Sequence, residues 1–153
     1  MMGGLAQYLL HAGHDCLYSD CFDDEQLLGI LTEENRILLS RDRELVRNAP
    51  ENRAVYVDST DPVEQFQSIV DQFDLKITED TIFTRCPMCN TRTIPVSSSE
   101  VAENIPDQTR DWIEEYFRCP ECGKVYWKGT HYQAIQKKFT RWNVLVEPKE
   151  DCS

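Results

Sequence analysis

The chain lacks any long apolar run. None approaches the roughly 18 consecutive apolar residues that a helical membrane span requires, so no membrane segment is expected. Its start, "MMGGLAQYLLHAGHD", has no basic region and no long apolar stretch, which argues against a secretory signal. The sequence therefore predicts an intracellular protein, in cytoplasm or nucleus and not secreted. Positive charge is also scarce: 16 Lys and Arg stand against 27 Asp and Glu, for a net charge of −11. A surface of that sign, taken as a whole, does not suit phosphate contacts. One stretch lacks the other sign. From Gly123 to Val146 there is no Asp or Glu, while Lys124, Lys128, Lys137, Lys138 and Arg141 give a local charge of +5. The residues before it carry 24 acids and 10 bases, and the last seven net −2.

What is there reads as an ordinary globular chain. At 153 residues, 41% hydrophobic and 28% charged, it predicts one domain with a small appendage. Helical and strand periodicities alternate over the first half. "GLAQYLLHAG" predicts a helix with Leu5, Tyr8, Leu9 and Ala12 on one stripe and Gly13 as its stop. "DCLYS" predicts a short strand. "DDEQLLGILTEEN" predicts a helix opened by acids, with Leu27, Leu28 and Leu31 inward. "RILLS" and "RAVYVDS" predict buried strands, with a helical turn in "RDRELVRNA" between them. "DPVEQFQSIVDQF" predicts a helix capped by Asp61, with Pro62 in its first turn. This alternation predicts an α/β module with a three-layer sheet over residues 1–76.

The pattern changes near Lys76. "TIFTRCPMCNTRTIPV" and "YFRCPECGKVYWKG" each read as strand, hook, strand. A helix is expected around Arg110 to Tyr116, and a terminal helix in "HYQAIQKKFTRW". Residues 77–146 form the second predicted module, and 147–153 a disordered tail.

The two hooks carry the clearest chemistry. Each sets two thiols on one tight turn: Cys86 with Cys89, and Cys119 with Cys122. Pro87 and Pro120 stiffen the turns, and Asn90 and Gly123 accept the positive φ that folds the chain back. Four sulfurs in a tetrahedron suit a structural Zn²⁺ with no open coordination position. Iron in the same cage, two disulfides or free thiols are the alternatives. His131 reads as a surface or packing residue, and His11 and His14 as solvent residues or helix-end charges.

The first module holds a second candidate group. Asp42 follows "RILLS" and Asp58 follows "RAVYV", both at the carboxyl end of a strand, where open α/β sheets place their sites. Asp24 opens the helix after "DCLYS" near the same edge. Converging carboxylates there would bind Mg²⁺ or Mn²⁺ and support phosphodiester cleavage. Helix capping and solvated surface are the alternative roles.

These residues also carry a family resemblance. "GGLAQYLLHAGHDCLY", "DDEQLLGILTEENRILLSRDREL", "FTRCPMCN" and "EVAENIPDQTRDWIEEYFRCPECGKVYWKGTHY" resemble the Mut-seven C-terminal RNase family over roughly residues 1 to 140. That family couples a PIN-like nuclease domain to a C-terminal zinc ribbon. It occurs as stand-alone prokaryotic proteins and at the C-terminus of animal 3′–5′ exonucleases linked to RNA silencing. The resemblance implies a PIN-like sheet, RNA as substrate class and a metal-dependent acidic site, with Asp24 and Asp42 at family positions and Asp58 a geometric candidate only. Family members begin with a strand ending in Asp, which this sequence lacks before "MMGG". Gly4 stands where Lys is usual and Gln7 where Arg is usual. The expected function is an RNA-binding and docking module of an exoribonuclease, PIN-like but catalytically degenerate. An active metal-dependent ribonuclease using Asp24, Asp42 and an upstream Asp is one alternative. A module that recruits the nuclease to a protein scaffold is the other.

"GKVYWKGTHYQAIQKKFTRWNV" supplies the RNA-facing candidates. Lys124, Lys128, Lys137, Lys138 and Arg141 would follow phosphates, and Trp127 would stack on a base. The expected partners are RNA, an upstream exonuclease domain and a scaffold protein. For the aromatics of this stretch, packing inside the ribbon is the competing role.

Overall fold

The computed structural model describes residues 2–106, 109, 113 and 115–146. The chain is mixed α/β, with one small parallel and one small antiparallel sheet. Helix α1 (Gly3–His11) buries Leu5, Ala6, Leu9 and Leu10 on one side. It ends where predicted, at Gly13 with φ of 91°. A Cβ there would lie 2.3 Å from the Thr81 carbonyl oxygen, so both conformation and space require glycine.

Helix α2 (Asp24–Glu33) opens on a capping box: Asp23 accepts from the Gln26 amide, and the Gln26 side chain accepts from the Asp23 amide. Strands β1 (Leu38–Ser40) and β2 (Ala54–Tyr56) pair in parallel, with α3 (Arg43–Asn48) as the crossover. Leu31, Leu38 and Leu45 bury together under that unit. Helix α4 (Pro62–Phe73) is capped by Asp61 and buries Phe66, Ile69 and Val70.

The ribbon follows. Strand β3 (Ile94–Val96) pairs antiparallel with β4 (Tyr116–Arg118), and β4 with β5 (Val125–Trp127). Helix α5 (Thr130–Arg141) closes the described fold. The main core draws on both sides of residue 76. Leu5, Leu9, Phe66 and Ile69 share it with Ile77, Phe83, Cys86, Cys119, Tyr126, Tyr132 and Phe139. A bridge between Ile77 and Leu145, with the Val146 amide on the Ile77 carbonyl at 2.8 Å, ties the chain after α5 back to the start of the ribbon.

Three expectations change. "DCLYS" is not a strand: residues 15–19 join no ladder with any of the described strands. A groove of about 610 Å³ separates them from β1, walled by Leu5, Leu17, Leu27, Leu39 and Phe73. The parallel sheet therefore has two described strands, not three. Before the first hook, residues 81–84 form turns, and only Arg85 bridges to Arg92. The turns are built by threonines: the Thr81 hydroxyl donates to the Thr78 carbonyl and Thr84 to Thr81. Of the helix expected at 110–116, residues 110–112 and 114 lie outside the described ones, and Tyr116 opens β4. The 147–153 tail also lies outside them.

Candidate functional site

The two hooks fold alike. In the first, the Cys86 amide donates to the Thr91 carbonyl at 2.9 Å and the Asn90 amide to the Cys86 carbonyl at 2.8 Å. In the second, the Cys119 amide donates to Lys124 and the Gly123 amide to Cys119, both at 2.9 Å. Asn90 (φ 60°) and Gly123 (φ 78°) supply the left-handed turn in each, as their positions in the sequence required.

The four Sγ atoms lie within 4.8 Å of one another. Around one ion at about 2.3 Å, tetrahedral sulfurs sit about 3.8 Å apart. Cys86 and Cys122 are 3.7 Å apart, so the set fits a metal ion. Among the described residues no other group of three His, Cys, Asp or Glu has this closeness. Burial pushes the Cys89 thiol up to about 12, and the neighbouring sulfurs push it the same way. Burial also raises Cys86, but the Tyr126 hydroxyl at 3.1 Å and the amides of Met88 and Cys89 outweigh it and bring Cys86 to about 7. The Tyr126 hydroxyl was not visible as a sulfur partner in the sequence. Its place two residues past Lys124 on the returning strand was the only signal.

The first hook is moored to the opposite half of the chain. The Asn90 side chain accepts from the Cys16 amide at 3.1 Å and donates to Asp15 at 2.7 Å. Gln7 Nε2 reaches the Pro87 carbonyl at 3.5 Å. Thus Gln7 faces the hook. Gly4 has a different constraint: a Cβ there would lie 2.8 Å from Pro62, so glycine permits the close approach of α1 to α4. Cys16 is held as a thiol, pushed up to about 11 by burial.

The candidate acids do not gather. Asp24, Asp42 and Asp58 are all exposed. Asp42 caps α3, accepting from the amides of Glu44 at 2.9 Å and Leu45 at 3.1 Å. Asp58 lines a depression of about 570 Å³ beyond β2, which neither Asp24 nor Asp42 borders. Its carbonyl accepts from Arg41.

The cations are all exposed: Lys124, Lys128, Lys137, Lys138 and Arg141. Lys128 lies 3.6 Å from Asp80, and the other four have no ion pair among the described residues. Lys138 with Arg141, and Lys137 with Arg141, have the spacing of one helix face. The aromatics are mostly structural. Tyr126, Tyr132 and Phe139 are buried, and Trp142 packs on Tyr8, Phe66 and Phe139. Trp127 is half-buried.

The packing of His11 was not legible from its place at a helix end. His11 packs edge-on against His131 at 5.8 Å and against Phe83 at 5.9 Å. Burial, then the charges of His131, Lys138 and Lys124, lower its pKa from 6.5 to about 4. Unfolded His11 takes up a proton near 6.5, and the folded protein resists it until about 4. The unfolded state binds more protons in that window, so stability falls as pH drops through it. Thermal melts should lose more between pH 6.5 and 4 in the wild type than in His11→Phe. Equal losses would remove His11 from the account.

Among the described residues no helix is long and apolar enough to cross a membrane. No curated protein matches the chain, and no solved structure does. Residues 1–139, however, match the family described as the Mut7-C RNAse domain, an extent that takes in α1, the parallel pair, both hooks and most of α5. The chain belongs to the Mut7-C RNAse domain family.

Proposed function

We propose that this chain is an RNA-binding module of its ribonuclease family. A zinc-held ribbon and α5 present cations to a single RNA strand, and the PIN-like sheet module beside them is catalytically degenerate. The carrying observation is the cationic face: in a chain of net −11, four of its five charges are exposed with no carboxylate partner among the described residues. Zinc is the favoured ion because four thiolates without an open position suit it. It would be held by Cys86, Cys89, Cys119 and Cys122 and would supply structure, not reaction chemistry.

The degenerate reading is supported by Asp42, whose Oδ1 caps α3, and by Asp58, which lines a depression that neither Asp24 nor Asp42 borders. The alternative is a Mg²⁺- or Mn²⁺-dependent ribonuclease using Asp24, Asp42 and an upstream Asp. Asn caps a helix as well as Asp does, so Asp42→Asn removes the charge and keeps α3. RNA incubated with the protein and Mn²⁺ should stay intact. Cleavage that disappears in Asp42→Asn would establish the alternative.

Binding of a labelled single strand should weaken steeply with salt. Each phosphate contact contributes about 0.7 to the slope of log affinity against log salt. Replacing Lys137, Lys138 and Arg141 by Gln should therefore lower the slope by about 2 and shift the melting curve little. A strand that fails to bind at low salt would defeat the RNA reading. A protein partner is then the second reading. It is favoured by the groove beside β1, where Leu17 (43%), Tyr18 (40%) and Ile37 (45%) remain exposed. A nuclease domain in the same parent chain is one such partner.

A further inference from the structure

We infer that a small aromatic cavity at the edge of the ribbon receives one unpaired base of the bound strand, a proposal that rests on the RNA-binding reading above. The cavity holds about 200 Å³, and its walls include Phe83, Phe117, Trp127 and Tyr132. Pockets for drug-sized ligands run from about 300 to 1,000 Å³, so this one admits a single flat ring system. Phe117 and Trp127 are half-buried and offer surface for stacking, with Phe83 and Tyr132 buried beneath; stacking holds single-stranded nucleic acid irrespective of sequence.

The backbone supports a built site. Phe83 has φ of 65°, in the left-handed region, which is rare for a bulky side chain. It is held there from two distant segments: its amide donates to the His11 carbonyl at 3.2 Å, and its carbonyl accepts from the Thr93 hydroxyl at 3.0 Å. Such strain persists only where neighbours over-determine it, and it concentrates at ligand sites. Here it sets the Phe83 ring as one wall, packed behind by Tyr126 at 5.2 Å.

Charge selects the occupant. Lys128 lines the cavity, lies 5.6 Å from the Tyr132 ring centre, and belongs to the acid-free stretch. A phosphate following that stretch would bring its base to the cavity. Asp80, whose Oδ1 lies 3.6 Å from the Lys128 ammonium, and Glu115 also line it. Their carboxylates accept hydrogen bonds from an amino-bearing base edge and repel a phosphate, so the base enters and the backbone stays outside.

The test compares an intact oligoadenylate with the same sugar-phosphate strand lacking its bases, by fluorescence anisotropy at fixed salt. The wild type should bind the intact strand about 5- to 150-fold more tightly, the span expected for one stacked base. Trp127→Leu should bring that ratio close to one without changing affinity for the base-free strand. If that variant does not fold, Phe117→Leu on another wall serves the same purpose. Equal binding of the two strands by wild type, or a ratio unchanged in the folded variants, would overturn the cavity and leave the cationic face standing. Absence of binding by both strands would remove the RNA reading and this inference together.

Discussion

Cys119→Ser is expected to remove the metal and the folded state together. Structural zinc contributes about 10–16 kcal/mol to folding in small zinc modules, while whole domains are stable by about 5–15 kcal/mol. Losing one of four ligands here reaches further than the ribbon. Cys86 and Cys119 are fully buried in the same core cluster as Leu5, Phe66 and Ile69. The first hook is also bonded to Asp15 and Cys16 through Asn90. Elemental analysis of the wild type should find one zinc per chain, and of Cys119→Ser none. The variant should lose its cooperative thermal transition, and a strong chelator should do the same to the wild type. A metal-free protein that still melts cooperatively near the wild-type temperature would refute the closed four-thiolate site.

Much of this was legible in the amino-acid order because it depends on local rules. The hooks could be read from Cys, Pro and the residue that takes positive φ, all within five positions. Asp61 before Pro62 marked the start of α4, and the acids that open "DDEQLLGILTEEN" marked that of α2. What stayed hidden depends on partners far along the chain. "DCLYS" has strand composition, yet a strand exists only where another lies beside it, and its neighbour β1 is across a groove. Asp42 fits both a cap and a metal ligand by position; that one of its oxygens caps α3 depends on where the amides of Glu44 and Leu45 fall. His11 reads as a helix-end charge until His131, 120 positions later, arrives against its ring. Phe83 carries no signal at all for its left-handed backbone, because the restraint comes from His11 and Thr93.

The same distinction governs α5, whose two faces should respond to mutation in opposite ways. Its cations are exposed, but Phe139 is 1% exposed and stacks on Phe66 at 5.3 Å, with Trp142 at 6.0 Å. Through that ring the cationic helix is packed against α4 of the first module. Phe139→Ala should therefore cost about 3–5 kcal/mol, a loss large enough to unfold a marginal domain near body temperature. Lys137→Glu, two residues away and exposed, should shift the melting point little and weaken binding to a charged strand. Denaturant melts and anisotropy on the same two variants separate the effects. If Phe139→Ala keeps its midpoint, α5 is not part of the core, and the cationic face would have no fixed orientation relative to the metal. If it falls as expected, the helix that carries the charge is held by the same core that holds Cys86 and Cys119, so loss of the metal and loss of the binding face become one event.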